Sequence, residues 1–322
     1  MRSARLEAAL DSGALVLPES GTIAVLRPRA GDDLSALPKD RLLVVQGFKP
    51  DHDHFAARGY RVATEAGEGH AAVLVCLSRS KAEARALLAE AAKAPLAIVD
   101  GQKTDGIDSI MKELRARGEV SDAVIKAHGK LFTFAADVSD WAAQPTEVEG
   151  FRTVPGVFSA DGPDRGSVLL AAALPKLKGR VIDLGAGWGY LSRAALERGA
   201  KSVDVVEAEA AALDCARANL PAETCSFHWA DALSWKPLGL AAHVVCNPPF
   251  HTTREADPAL GMAFVKAAAR MLASDGTLWL VANRHLPYRD TLAATFREHE
   301  EIAGDSAFRV IRATGPIKER RA

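Results

Sequence analysis

Short apolar runs, cut by glycine and by polar clusters, alternate with segments of helical period along the whole chain. In the first half, 22–26, 41–46 and 71–77 read as strands, the last two apolar enough to be buried on both faces. A helix is expected over 4–10, closed by the turn Asp11-Ser12-Gly13. Ser80-Lys81-Ala82-Glu83 has the spacing of a capping box and opens an alanine-rich helix to about Ala92. A strand and turn over 96–101 lead to an amphipathic helix over 106–117, with Ile107, Ile110, Met111 and Leu114 on one face. Two further strands are predicted at 123–127 and 131–134. The stretch 140–149, with Gln144-Pro145-Thr146, reads as a linker.

The second half repeats the alternation with clearer punctuation. After a strand-turn segment at 151–158 and a helix from Ser167 to about Leu174, strands are expected at 181–184, 202–207, 224–229, 243–246 and 276–283. Helices are expected over 190–198, 209–220, 258–272 and 288–296. Gly304-Asp305-Ser306 joins two last strands, 300–303 and 307–313, as a hairpin, so the sheet should end antiparallel. The pattern describes two α/β units, 1–145 and 146–322, and shows no repeat of sequence between them.

Composition narrows this picture. At 322 residues the chain is long enough for two domains, and 48% hydrophobic residues supply their cores. No apolar run approaches the roughly 18–20 residues a membrane span needs, and the basic start Met1-Arg2-Ser3-Ala4-Arg5 has no apolar core behind it, so neither a membrane nor a secretory signal is expected and the location expected is cytoplasmic. Cys76, Cys215, Cys225 and Cys246 lie far apart in apolar or helical surroundings, which predicts reduced buried thiols and no metal. A net charge of −1 leaves nucleic-acid binding to a local basic patch. Arg152, Arg165, Lys178, Arg180, Arg309, Arg312, Lys318, Arg320 and Arg321 are the candidates.

The chemistry gathers at three strand ends of the second unit. Val181-Ile182-Asp183-Leu184 runs into Gly185, Gly187 and Gly189, where backbone can approach a ligand closely and the following helix presents free N–H groups. Glu207 ends the next strand about twenty residues on, the place for a carboxylate that accepts hydrogen bonds from ribose hydroxyls. The glycines are not spaced as in the dinucleotide fingerprint. Carboxylates such as Asp183 favour a cation and would repel a pyrophosphate, which points to S-adenosyl-L-methionine. Asp231 is either the partner of the adenine amino group or a helix-capping residue. At the third strand end, Asn247-Pro248-Pro249-Phe250 offers an amide oxygen and a backbone carbonyl that can both accept from one –NH2 group. The prolines fix the backbone there, and Phe250 offers a face on which a base stacks.

With these motifs in place, residues 150–313 resemble class I S-adenosylmethionine-dependent methyltransferases of the Asn-Pro-Pro-Phe/Tyr group. They are most similar to the bacterial ribosomal RNA guanine-N2 methyltransferases of the RsmC/RlmG type. Pro155-Gly156-Val157-Phe158-Ser159, Asp161-Gly162, the Asp183–Gly187 loop, Asn247–His251 and Leu286-Pro287-Tyr288 carry the resemblance. It implies a Rossmann-like catalytic domain over 146–322, preceded by a degenerate α/β domain of the same kind over 1–145 that serves structure or substrate orientation. It further implies methyl transfer to a guanine N2 amine, small-subunit ribosomal RNA or the ribosomal subunit as partner, and a monomer. Asn247 and the Pro248 carbonyl would hold the amine, Phe250 would stack on the base, and Phe158 and Asp161 would lie near the cofactor. His251 is a substrate contact or a plain loop residue. Adenine-N6 or protein-glutamine methylation, which use the same tip, stand as alternatives, as does a non-catalytic RNA-binding assembly factor. The glycine spacing disfavours a dehydrogenase.

Overall fold

The computed structural model describes residues 2–249 and 258–317. Phe250, His251, Lys318, Arg320 and Arg321, which carry expectations above, lie outside the described residues. The chain divides into two compact units, Met1–Pro145 and Thr146–Ala322.

In the first unit, helix α1 (Arg2–Asp11) precedes strand β1 (Ile23–Leu26), β2 (Leu42–Val45), helix α2 (Lys49–Ala57), β3 (Arg61–Ala63), β4 (Ala72–Cys76), helix α3 (Lys81–Ala91), β5 (Ala97–Gln102) and helix α4 (Ile107–Arg115). Three strands follow: β6 (Gly118–Val120), β7 (Val124–Lys126) and β8 (Gly129–Ala136). The sheet runs β3-β2-β1-β4-β5-β8-β6, with β7 also on β8. The first five strands are parallel, and β8 lies antiparallel to β5. The expected capping box is half present, since the Ser80 hydroxyl accepts from the Glu83 N–H. Helix α2 escapes the apolar period because Lys49-Pro50-Asp51-His52-Asp53-His54 is polar throughout and Phe55 is its buried anchor.

The second unit opens with a hairpin of β9 (Thr146–Val148) and β10 (Phe151–Thr153). The end of the expected linker is therefore strand, because Glu149 and Gly150, both at positive φ, turn the chain back on itself. Then come α5 (Arg165–Ala173), β11 (Arg180–Leu184), α6 (Tyr190–Glu197), β12 (Ser202–Glu207), α7 (Ala210–Asn219), β13 (Cys225–Trp229) and β14 (Ala241–Cys246). The unit ends with α8 (Pro258–Met271), β15 (Leu272–Asn283), α9 (Arg289–Thr295), β16 (Phe296–Gly304) and β17 (Phe308–Pro316). The sheet order is β13-β12-β11-β14-β15-β17-β16, parallel except for β17, which inserts antiparallel between β15 and β16. The strand order reverses between β11 and β14, and open α/β sheets bind ligands in the crevice outside the carboxyl ends at such a point.

Both faces of this sheet are covered. Ile182, Leu184, Val244 and Leu278 pack under α8, while Val181, Val203, Val205 and Val281 pack under α5, α6 and α7. That two-sided burial is why these strands read as continuous apolar runs. The four cysteines are buried and unbridged. Among the described residues, no helix is long and apolar enough to cross a membrane.

Candidate functional site

The carboxyl ends of β11, β12 and β14 bring together the glycine loop, Glu207 and Asn247. Gly185, Gly187 and Gly189 all have positive φ, 80°, 55° and 94°. Their surroundings differ. A Cβ on Gly189 would lie 2.8 Å from the Leu220 side chain, whereas one on Gly187 would meet nothing within 4 Å. Gly189 is thus a packing glycine, and Gly187 leaves open space in front of the loop.

Glu207 is joined to that loop directly. Its Oε2 accepts the Gly187 N–H at 2.7 Å and its Oε1 the Glu209 N–H at 2.7 Å. One bond on each oxygen fixes the carboxylate in the loop and leaves each oxygen further lone pairs for a diol. Burial pushes its pKa up, against the two backbone bonds that favour the charge.

Asp183 is fully buried beneath the loop. Ser192 of α6 donates to its Oδ2 at 2.6 Å, and its Oδ1 has no partner. Burial raises its pKa to about 7; the Ser192 bond opposes the shift and the Glu207 charge adds to it. A nearby cation would stabilise this carboxylate.

Asn247 follows β14 directly. Its Nδ2 donates to Asp164 Oδ2 at 2.9 Å and to Ser167 Oγ at 2.8 Å. Among the described residues its Oδ1 is buried and has no hydrogen-bond partner. Pro248 is buried and Pro249 exposed. A buried acceptor without a donor is costly, about 1–3 kcal/mol, and marks a place where a substrate donor fits.

The remaining candidates spread around this centre. Phe158 is 64% exposed, and its carbonyl accepts from Trp188 Nε1 at 2.8 Å, which ties its loop to the glycine loop. Asp161 is exposed, with no side-chain hydrogen bond among the described residues. Asp231 follows β13 beside the end of β12, where the Ala230 N–H reaches the Glu207 carbonyl at 3.0 Å. Its Oδ1 accepts the Leu233 N–H at 2.9 Å, so one oxygen serves a turn.

The basic candidates separate by position. Lys178 precedes β11 and Arg180 is its first residue, which places both at the amino edge of the sheet, away from the crevice. Arg180 is also spent on Asp204 at 2.5 Å and on the Gly239 carbonyl at 2.7 Å. Arg312 pairs with Glu300 at 2.8 Å within the final hairpin. Arg165 starts α5 and pairs with Asp305 at 2.7 Å, while Arg309 donates to the Leu286 carbonyl.

Sequence reasoning passed over Asp164, Ser167, Ser192, Trp188 and Asn219. Asn219 Nδ2 donates to the carbonyls of Trp188 and Arg152, each at 2.9 Å, and its Oδ1 accepts the Arg152 N–H. The signal for Asp164 was available. Asp-x-x-Ser is an N-cap spacing, and a helix placed from Ser167 begins too late to include its own cap.

The family model described as methyltransferase small domain matches residues 149–312. Ribosomal RNA small subunit methyltransferase C of Escherichia coli O7:K1 is 36% identical over 176 residues, 54% of this chain and 51% of its own length. The Klebsiella pneumoniae protein of the same name is 36% identical over 191 residues, 58% of this chain and 56% of its own. The chain thus spans about half the length of the curated relatives it matches. Among solved structures, the T. thermophilus 16S rRNA N2 G1207 methyltransferase, in complex with AdoMet and guanosine, superposes with a TM-score of 0.78. That match covers 97% of this chain and 91% of the other at 23% identity, a likeness of fold.

Proposed function

Because the chain belongs to the methyltransferase small domain family, we propose that it transfers a methyl group from S-adenosyl-L-methionine to the exocyclic N2 amine of a guanine in ribosomal RNA, in the small subunit and in the cytoplasm. The observation that carries this reading is the buried, unpaired Oδ1 of Asn247 at the switch point of the sheet. The matched relatives, a ribosomal RNA small subunit methyltransferase C and a 16S rRNA N2 G1207 methyltransferase, support it.

The residues present fit the cofactor. Open space before Gly187, the Glu207 carboxylate at the loop and the unpartnered Asp183 Oδ1 suit a ribose and a cationic head. When bound, S-adenosylmethionine would supply the methyl group of its sulfonium to the amine and leave as S-adenosylhomocysteine, the surplus amine proton passing to solvent. Glu207 holds the ribose hydroxyls. Asp183 keeps α6 against the loop through Ser192 and contributes negative charge under it. Asn247 Oδ1 and the Pro248 carbonyl accept hydrogen bonds from the two amine N–H groups and point the nitrogen lone pair outward. An aromatic amine is a weak nucleophile, so this alignment supplies much of the rate. Phe158 stands at the rim of the cofactor pocket with Asp161 beyond it, Asp231 Oδ2 faces the adenine amine, and Phe250 stacks on the base. The first unit is a non-catalytic copy of the same winding that supports or orients the substrate.

The test is methyl transfer from labelled S-adenosylmethionine to ribosomal RNA and subunits of a strain lacking the gene, followed by digestion to nucleosides. N2-methylguanosine is expected. Labelled N6-methyladenosine, or label in protein alone, would overturn the target.

A further inference from the structure

The geometry points to Asp164 and Ser167 as positioning residues that set the orientation of the Asn247 amide and so make its oxygen the amine acceptor. Asp164 is the N-cap of α5, and its Oδ2 accepts the Ser167 N–H at 3.0 Å. The same Oδ2 accepts from Asn247 Nδ2 at 2.9 Å, and Ser167 Oγ accepts from Nδ2 at 2.8 Å. Both protons of the amide nitrogen are therefore committed to the start of α5. Oδ1 is left buried and unpaired.

An asparagine amide is nearly symmetric in shape, so something must decide which end faces the substrate. Here a carboxylate decides it. Turned over, the amide would set Oδ1 against the Asp164 carboxylate and exchange a charge-assisted hydrogen bond for a repulsion. Gly166 makes the arrangement possible: a Cβ there would lie 3.0 Å from Asp164 Oδ2 and 3.2 Å from the Phe308 ring. One helix cap thus does two jobs, holding α5 and aiming the acceptor. The inference deepens the proposed amine methylation and rests on it for its kinetic consequence, though not for the hydrogen bonds themselves.

Two measurements on the full chain test it. In kinetics, Ser167→Ala keeps the backbone N–H that Asp164 caps and removes one acceptor. It should lower kcat by about three- to tenfold, the worth of a neutral hydrogen bond, with cofactor affinity and KM for RNA unchanged. Asn247→Asp places two carboxylates face to face and should lose at least about a hundredfold, as for removal of one hydrogen-bonding group that acts on the reacting centre. Asn247→Asp combined with Asp164→Asn keeps the cap oxygen on the Ser167 N–H and removes one of the two facing carboxylates, because asparagine is an equally good N-cap. That double variant should recover at least about tenfold over Asn247→Asp alone, as expected when the repulsion between two facing carboxylates is relieved. A purely structural role for Asp164 predicts no such rescue, and a double variant no better than the single one would overturn the inference.

The second measurement needs no substrate. In 15N-asparagine-labelled protein, the Asn247 side-chain amide, identified by its loss in Asn247→Asp, should exchange with solvent more slowly than exposed asparagines. Ser167→Ala should speed that exchange. Rapid exchange in the unaltered protein would overturn the inference even if methyl transfer is found. Slow exchange without any N2-methylguanosine would uphold the orientation and overturn the target instead.

Discussion

The two units share a winding and differ at a handful of strand ends. In both, the first strand sits between the second and fourth, and an antiparallel strand lies beyond the fifth. The likeness extends to single hydrogen bonds. The residue after β1, Arg27, donates to the Val45 carbonyl at 2.8 Å, as Gly185 after β11 donates to that of Val206 at 2.9 Å. Gln46 Oε1 accepts the Phe48 N–H at 2.9 Å, as Glu207 Oε1 accepts the Glu209 N–H at 2.7 Å. By this register Arg27 stands for Gly185, Gln46 for Glu207, Val25 for Asp183 and Cys76 for Asn247.

Arg27 keeps a left-handed φ of 60°, a conformation that suits glycine, and sends its guanidinium to Gln46 Oε1 at 2.9 Å and to Glu83 at 3.0 Å. Where the second unit has Gly185, the first carries this long, bonded side chain. At the other side of the first sheet, Arg5 holds Asp100 at 2.7 and 2.8 Å, and Arg2 joins them. Polar groups at the first unit's strand ends bond to one another, while two acceptors in the second, Asp183 Oδ1 and Asn247 Oδ1, are left unpartnered. Topology needs only the apolar strands, and the chemistry resides in four or so positions that can be exchanged without disturbing them.

This contrast can be broken most forcefully at Asp100. Asp100→Ala leaves the buried Arg5 guanidinium without a carboxylate, Arg2 keeping Asp32 at 3.2 Å, and should cost about 3–5 kcal/mol, read as early melting of the first unit; a melting curve like that of the unaltered protein would remove the idea that these charges hold it.

Asp183 should behave in the opposite sense. Its pKa is raised to about 7, so the folded state binds a proton that the unfolded chain releases near pH 4. Its contribution to stability is full below that lower value and disappears as pH climbs through 7. Asp183→Asn should therefore leave the apoprotein more stable than the parent at pH 8, by no more than about 4 kcal/mol. Equal stability at pH 8 would show that the buried carboxylate bears no such burden.

Asn247→Ala should cut kcat by about 10²–10³ and leave cofactor affinity unchanged in calorimetry; normal turnover would exclude the amine-holding role. Glu207→Gln should weaken cofactor binding about tenfold to a hundredfold, as expected for hydrogen bonds to a charged group. The mirror change, Arg27→Ala, removes a largely buried ion pair and should shift stability by about 1 kcal/mol, the upper end for such pairs near a surface, with methyl transfer intact. Loss of activity in that variant would give the first unit a chemical role.

The strands of the second unit were legible because burial on both faces makes Val181–Leu184 and Val203–Val206 apolar but for one aspartate each, and glycine or a carboxylate ends each run. The shared winding of the two units was legible only through the family resemblance and not through any repeat of residues, since it lives in strand order and main-chain bonds, with Arg27 where Gly185 stands. Asn247 announced itself through its prolines, but the pair that orients it comes from a helix cap about eighty residues earlier in the chain. Lys178 and Arg180 looked like phosphate contacts in a linear reading and fall at the wrong end of β11 in space.

The most direct test is a calorimetric titration of the full chain with S-adenosylmethionine, repeated on Glu207→Gln. One site per chain, weakened by that substitution, is the predicted result. Two sites, or one site indifferent to Glu207, would contradict the claim that the second winding alone is equipped for the cofactor.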